Sequence, residues 1–130
     1  MTDLEDIDLG GLKKAIDTLR EALQKNSPSE LERDGIIQRF EYTFELAWKM
    51  IRKVLITMGR SDVSASPRPI IRDAKEEGLI GDVEKWFFFL EARNPSTHIY
   101  NQKEAQSVHK AAKEFLPFAE KLLTKLEGTK

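Results

Sequence analysis

Apolar residues recur every three or four positions along three long stretches of this sequence, and this spacing limits the fold more than any other feature. The spacing is that of one face of an α-helix. The first stretch predicts a helix over about residues 8–26, with its apolar face at Leu9, Leu12, Ile16, Leu19 and Leu23. No stretch alternates apolar and polar residues as a half-buried strand would. The chain is therefore predicted to be all-α.

The second helix is predicted over about Pro28–Met58. Ser27 is expected to cap it, with Pro28 at the first helical position and Glu30 completing a capping box. Gly59 is a natural stop, and a polar loop over residues 59–66 follows it. The apolar face comprises Ile37, Phe40, Phe44, Ala47, Trp48, Ile51, Val54, Leu55 and Met58.

Two short helices and a third long helix complete the pattern. The first short helix starts at Ser66-Pro67 and ends at Gly78, and the second covers Val83 to about Arg93. The last helix is expected to begin at Asn101 with Glu104 in a capping position, and Pro117 should kink it or remove one hydrogen bond. The prediction is one domain over residues 1–130, an up-and-down antiparallel bundle of three long and two short helices.

The amino-acid composition excludes several classes of function. The chain has 21 Lys and Arg against 22 Asp and Glu, so it lacks the basic excess of proteins that wrap long duplexes. Cysteine is absent, which excludes disulfides and thiolate metal sites. The acidic N-terminus does not look like a signal peptide, and no apolar run is long enough to span a membrane. A soluble, cytoplasmic protein is expected.

The run Trp-Phe-Phe-Phe-Leu at residues 86–90 has too many large apolar groups for one helical stripe. Consecutive helical residues are about 100° apart, so five in a row cover most of the circumference. A second subunit is the simplest partner for the surplus, and a homodimer is predicted. The alternative is a helix buried on all sides within one monomer.

The segment from Arg93 to Tyr100 carries the residues best suited to chemistry. It places a fixed positive charge, the imidazole of His98 and a phenol within eight residues, between two helices. Arginine can bind phosphate oxygens through two hydrogen bonds, and histidine can move a proton near neutral pH. RNA supplies its own nucleophile, the 2′-hydroxyl, so its cleavage requires no metal or cofactor. In the structural alternative, Arg93 stabilises a helix end and His98 anchors a loop.

Other polar residues point to structure. Glu41 and Glu45 share a face of the long helix, but the Glu-x-x-His pairs of a bundle metal site are missing. Glu45 and Lys49 are interpreted as a surface pair at i,i+4 spacing. His109 is interpreted as a partly exposed helix residue. No phosphate loop, GxSxG, HExxH or EF-hand pattern occurs.

The motif Arg93-Asn94-Pro-Ser-Thr-His98-Ile-Tyr100 resembles the Arg-x4-His-x-Tyr signature of the HEPN superfamily. Residues 32–49, ERDGIIQRFEYTFELAWK, are similar to the long helix of its nucleotidyltransferase substrate-binding protein branch. Ser66-Pro67-Arg68, residues 71–74 and residues 78–80 also fit that branch. The likeness covers about residues 8–126, and Pro95 is a departure from many relatives.

The resemblance implies a dimeric helical bundle that binds a minimal nucleotidyltransferase encoded nearby. It implies a toxin–antitoxin pair in which this chain is a metal-independent RNA endonuclease. Arg93 and His98 would be catalytic, Asn94 would support them, and the partner would silence the toxin by modifying Tyr100. The alternative implied by the same family is a non-catalytic subunit that presents substrate to the nucleotidyltransferase.

Overall fold

The computed structural model describes residues 3–93 and 102–130. A short 3₁₀ turn at Leu4–Asp6 precedes five helices: α1 (Gly10–Leu23), α2 (Glu30–Thr57), α3 (Pro67–Glu76), α4 (Val83–Ala92) and α5 (Gln102–Gly128). The described residues contain no strand. The predicted all-α bundle of three long and two short helices is confirmed.

Polar contacts fix the direction of α1 against its neighbours. Near the middle of α1, the Thr18 hydroxyl lies 2.8 Å from the Tyr42 hydroxyl of α2. Just beyond its C-terminus, Lys25 pairs with Glu32 at 2.9 Å. These contacts make α1 and α2 antiparallel. The loop after α2 then runs back along that helix, since Arg52 donates a hydrogen bond to the Ser64 carbonyl at 2.8 Å.

Aromatic side chains from three helices form the centre of the core. Phe115 of α5 packs edge-on against Phe40, Trp86 and Phe89 with ring centroids 5.3–5.7 Å apart. Phe44 of α2 lies 5.7 Å from Phe115 and 5.9 Å from Trp86. Each such pair adds about 0.5–1.5 kcal/mol to what burial of its area contributes. The cluster therefore locks α2, α4 and α5 together.

The two glycines predicted as helix stops have that role. Gly59 and Gly78 have positive φ angles of 91° and 73°, a region in which a side chain is strained. After Gly59, the Arg60 N–H donates to the Leu55 carbonyl at 3.2 Å. After Gly78, the Leu79 N–H donates to the Ala74 carbonyl at 2.8 Å. Both ends are Schellman motifs, which satisfy carbonyls of the last helical turn.

The start of α2 differs from the prediction by two residues. Ser29, and not Ser27, is the N-cap, and its hydroxyl accepts a hydrogen bond from the Glu32 N–H at 3.1 Å. The Glu32 carboxylate in turn accepts one from the Ser29 N–H at 2.9 Å. The predicted box of Ser27 and Glu30 with Pro28 in the helix is therefore wrong. The repeated Ser-x-x-Glu pattern permits either register.

An ion pair across the α1–α2 loop supports the observed register. The hydrogen bond from Lys25, followed by those from the Ser29 backbone and side chain, lowers the pKa of Glu32 to about 2. A carboxylate held in this way stays ionised and complements the positive end of the helix dipole. The observed register thus gives Glu32 both a capping role and a charged partner.

The other helix ends are close to their predicted positions. α1 is shorter than residues 8–26, and α4 ends at Ala92 with Arg93 as its C-cap. α5 continues through Pro117, which cannot donate the usual bond to the Lys113 carbonyl. The predicted cap at Asn101 lies outside the described residues.

His109 is buried, so its interpretation as a partly exposed residue is wrong. Its exposed fraction is 8%. Burial lowers the pKa of His109, and the charges of Lys113 and Arg33 lower it further. The imidazole is therefore a neutral part of the core at physiological pH.

The aromatic run of α4 divides between core and surface. Trp86 and Phe89 are fully buried, whereas Phe88 is 47% exposed. Arg68 of α3 covers the ring of Phe87, its guanidinium carbon 4.6 Å from the ring centroid. The core of this chain therefore does not bury the whole run, as predicted, and the ring of Phe88 remains exposed. That a second copy covers Phe88 stays a prediction.

We expect Ser29→Ala to lower the free energy of unfolding by about 1 kcal/mol, because the Glu32 N–H loses its acceptor. Ser27→Ala should leave it unchanged and is the matched control. Urea unfolding followed by circular dichroism measures both. Equal losses in the two variants would contradict the observed capping register.

Candidate functional site

Arg93 lies at the C-terminus of α4, where its positive charge meets the negative end of the helix dipole. Its backbone N–H donates to the Phe89 carbonyl at 3.0 Å, so the residue continues the last turn. Its side chain is 26% exposed. The helix thus holds a partly accessible guanidinium at the start of the segment that carries the motif.

Two residues of α2 hold the guanidinium. Nη1 of Arg93 donates to Oε2 of Glu45 at 2.8 Å. The guanidinium carbon lies 5.7 Å from the centroid of the Phe44 ring, within the range of a cation–π contact. Phe44 belongs to the aromatic core and is fully buried. The guanidinium of Arg93 therefore packs directly against the buried aromatic core.

Glu45 contacts two cations at once. Its Oε1 lies 3.5 Å from Nζ of Lys49, which confirms the predicted i,i+4 pair. Its Oε2 accepts from Arg93, 48 residues away in sequence. Sequence reasoning missed this second contact. No local pattern signals it, since the chain has 22 carboxylate side chains and the partner of Arg93 depends on how α2 and α4 pack.

Among the described residues, Glu45 is the hydrogen-bond acceptor that binds the Arg93 side chain. A guanidinium has five N–H donors, and one of them binds Glu45. Nε is buried and has no hydrogen-bond partner among the described residues. The position of Arg93 as the C-cap of α4 agrees with the structural alternative, in which this residue stabilises the helix end. A guanidinium that binds a carboxylate through one nitrogen can bind an anion such as a phosphate through another.

The other predicted site residues, Asn94, His98 and Tyr100, lie outside the described residues. The structure therefore places Arg93 and leaves the other three as predictions. In residues 3–93 and 102–130, no three His, Asp or Glu side chains form a group that could hold a metal ion. In the same ranges, no helix is both long and apolar enough to cross a membrane.

Nearly the whole sequence matches a known family. Residues 7–128 match the family model described as "nucleotidyltransferase substrate binding protein like". The chain belongs to this family. The predicted membership in the nucleotidyltransferase substrate-binding branch is therefore confirmed.

One curated relative comes from Haemophilus influenzae and is named a probable ribonuclease HepT. The two chains are 36% identical over 95 residues, which is 71% of this chain and 65% of the relative. The matched part thus spans just under two thirds of the relative's length.

Two solved structures share the fold of this family member. A protein from Haemophilus influenzae superposes with a TM-score of 0.81 and 30% identity, covering 92% of this chain and 99% of the other. Its structure is described as revealing the fold of a substrate-binding domain of a nucleotidyltransferase. A Thermus thermophilus protein superposes with a TM-score of 0.78 and 34% identity, covering 88% and 98%.

We expect Glu45→Gln to lower the free energy of unfolding by about 0.5–1 kcal/mol, because a half-buried charge pair is lost. Glu91→Gln is the matched control. Glu91 also pairs with an arginine, Arg68, but at 3.3 Å and with a side chain that is 74% exposed, so its loss should have no measurable effect. Chemical denaturation measures both. A loss no larger than the control's would mean that the Glu45–Arg93 pair does not stabilise the fold.

Proposed function

We propose that this protein is a metal-independent RNA endonuclease of the HEPN type, acting in the cytoplasm as the toxin of a toxin–antitoxin pair. The observation that carries the proposal is the placement of Arg93, which is half-buried on the aromatic core and is the first residue of the motif that continues to His98 and Tyr100. The 36% identity to a probable ribonuclease supports it.

The proposed reaction is an internal transfer within RNA. The 2′-oxygen attacks the adjacent phosphorus, the P–O5′ bond breaks, and the products are a 2′,3′-cyclic phosphate and a 5′-hydroxyl. His98 moves a proton, from the 2′-hydroxyl or to the leaving 5′-oxygen. Arg93 stabilises the negative charge that develops on the phosphate oxygens. Asn94 supports this arrangement by its position next to Arg93.

A homodimer would complete the site. Two copies would bring two Arg93/His98 pairs to one groove, so that one histidine acts as base and its mate as acid. The exposed ring of Phe88 supports this, since it lies on α4, the same helix that ends at Arg93. Burying such an aromatic ring would favour association.

Silencing would come from a minimal nucleotidyltransferase encoded nearby. We propose that it binds this chain and transfers a nucleotide to the hydroxyl of Tyr100. The added group would bring bulk and negative charge next to Arg93 and so would compete with the RNA phosphate.

A second function follows from the family description. The family and the Haemophilus influenzae structure are both described by substrate binding for a nucleotidyltransferase. In that case the chain would be a non-catalytic subunit, and Arg93 would bind an anionic substrate for the partner enzyme.

We expect His98→Ala to lower the rate of RNA cleavage by a factor of about 10² to 10⁴, the usual contribution of a general acid or base. His109→Leu should retain activity, because His109 is neutral and buried in the core. Cleavage of total cellular RNA with EDTA present, followed by detection of cyclic phosphate ends, measures this. Wild-type protein that cuts no RNA under these conditions would exclude the endonuclease.

Modification of Tyr100 gives a separate prediction. Incubation with the neighbouring nucleotidyltransferase and ATP should increase the mass of the wild-type chain by one or more transferred nucleotides. Tyr100→Phe should show no increase, and intact-protein mass spectrometry measures both. Transfer to another substrate that occurs only when this chain is bound would favour the substrate-binding subunit instead.

A further inference from the structure

Three cationic side chains follow one another on the exposed face of α2. Arg52 and Lys53 follow Lys49 by three and four residues, which places both of them next to Lys49 on the helix surface. Lys49 and Lys53 are exposed, and Arg52 is half-buried. We call these three residues the α2 basic strip. They border a shallow surface hollow, which is also lined by Trp48, Ile56, Thr57 and Ala65.

Most of the charge in this strip is not neutralised by the fold. Lys49 shares the Glu45 carboxylate with Arg93 at a distance of 3.5 Å. Arg52 donates through Nε to the neutral Ser64 carbonyl. Within residues 3–93 and 102–130, neither Arg52 nor Lys53 has a carboxylate at ion-pair distance.

The nearby Arg60 shows the opposite arrangement. It pairs with Asp73, Glu76 and Glu77 at 2.7–3.1 Å, so its charge is used within the fold. The chain as a whole has a net charge of −1. The uncompensated charge of the strip is therefore a local property and does not reflect a general excess of basic residues.

The strip begins beside Arg93. One carboxylate, that of Glu45, contacts both Arg93 and Lys49. Lys53 is one helical turn further along α2, a rise of about 6 Å. A chain of phosphates that reached Arg93 could therefore continue along the strip.

From this geometry we propose that the α2 basic strip binds the phosphate backbone of single-stranded RNA and leads the strand to Arg93. The inference deepens the proposed endonuclease function and rests on it. Lysine ammonium groups attract phosphates without reading bases, so the strip would add affinity and not sequence specificity. An RNA strand fits better than an acidic protein, because two of the three cations are lysines, which are depleted in interfaces between proteins, and the aromatic residue at the hollow, Trp48, is buried.

The test compares two pairs of lysines with the same spacing. Lys49→Gln/Lys53→Gln removes two charges from the strip. Lys121→Gln/Lys125→Gln removes two exposed charges at i,i+4 spacing on α5 and is the matched control. Both are made in the full chain with His98→Ala, so that a labelled single-stranded RNA oligonucleotide stays intact. Fluorescence anisotropy gives its dissociation constant at several salt concentrations.

We expect the strip variant to bind the oligonucleotide more weakly than the His98→Ala parent. The slope of log K against log salt should be shallower by about 1.4, because each of the two lost phosphate contacts contributes about 0.7 to the slope on a single strand. The α5 control should match the His98→Ala parent. Equal slopes in all three proteins, or no RNA binding by the parent at low salt, would overturn the proposal. Unchanged RNA affinity with loss of the nucleotidyltransferase complex would also overturn it and make the strip a protein-binding surface.

The same variants with His98 intact separate the two proposals. If wild-type protein cleaves RNA and the strip variant does so with unchanged KM, the endonuclease stands and the strip proposal fails. If wild-type protein binds RNA with a salt slope about 1.4 steeper than that of the strip variant but never cleaves it, the strip binds RNA as proposed and the endonuclease fails.

Discussion

Arg93 is held from two directions, by the carboxylate of Glu45 and by the ring of Phe44, and the candidate site depends on both. The ring is fixed because Phe44 packs against Trp86 and Phe115 in the aromatic core. The carboxylate is positioned because Glu45 is the next residue on the same helix. Packing of α2 against α4 and α5 therefore sets the position of the only predicted site residue that the structure describes.

Much of the fold could be predicted from the spacing of apolar residues and from two glycines, because these features act locally. The start of α2 could not, because Ser27 and Ser29 each precede a glutamate by three residues and both satisfy the capping rule. In the observed register Glu32 also pairs with Lys25, a contact that exists only once α1 and α2 are packed. The burial of His109 likewise depends on how the other helices pack against α5, which the helical spacing of α5 alone does not reveal.

The types of residue in the candidate site could be predicted from the sequence, but their contacts with the rest of the fold could not. Eight residues of sequence contain the guanidinium, imidazole and phenol, and the family resemblance assigns their roles. The contact between Glu45 and Arg93 was not predictable, since the i,i+4 rule predicts only the contact between Glu45 and Lys49. The basic strip was also hidden, because lysines on an exposed helix face are usually only solvated. It became visible once the structure showed which cations have carboxylate partners and where Glu45 points.

The distance in sequence between Glu45 and Arg93 has a consequence for incomplete chains. A proteolytic fragment that begins after α2 would keep every residue of the motif from Arg93 to Tyr100. It would lack both the carboxylate and the aromatic ring that hold the guanidinium in place. A chain can therefore contain the motif without holding Arg93 in its native position. Only a chain in which the long helices have packed together has both.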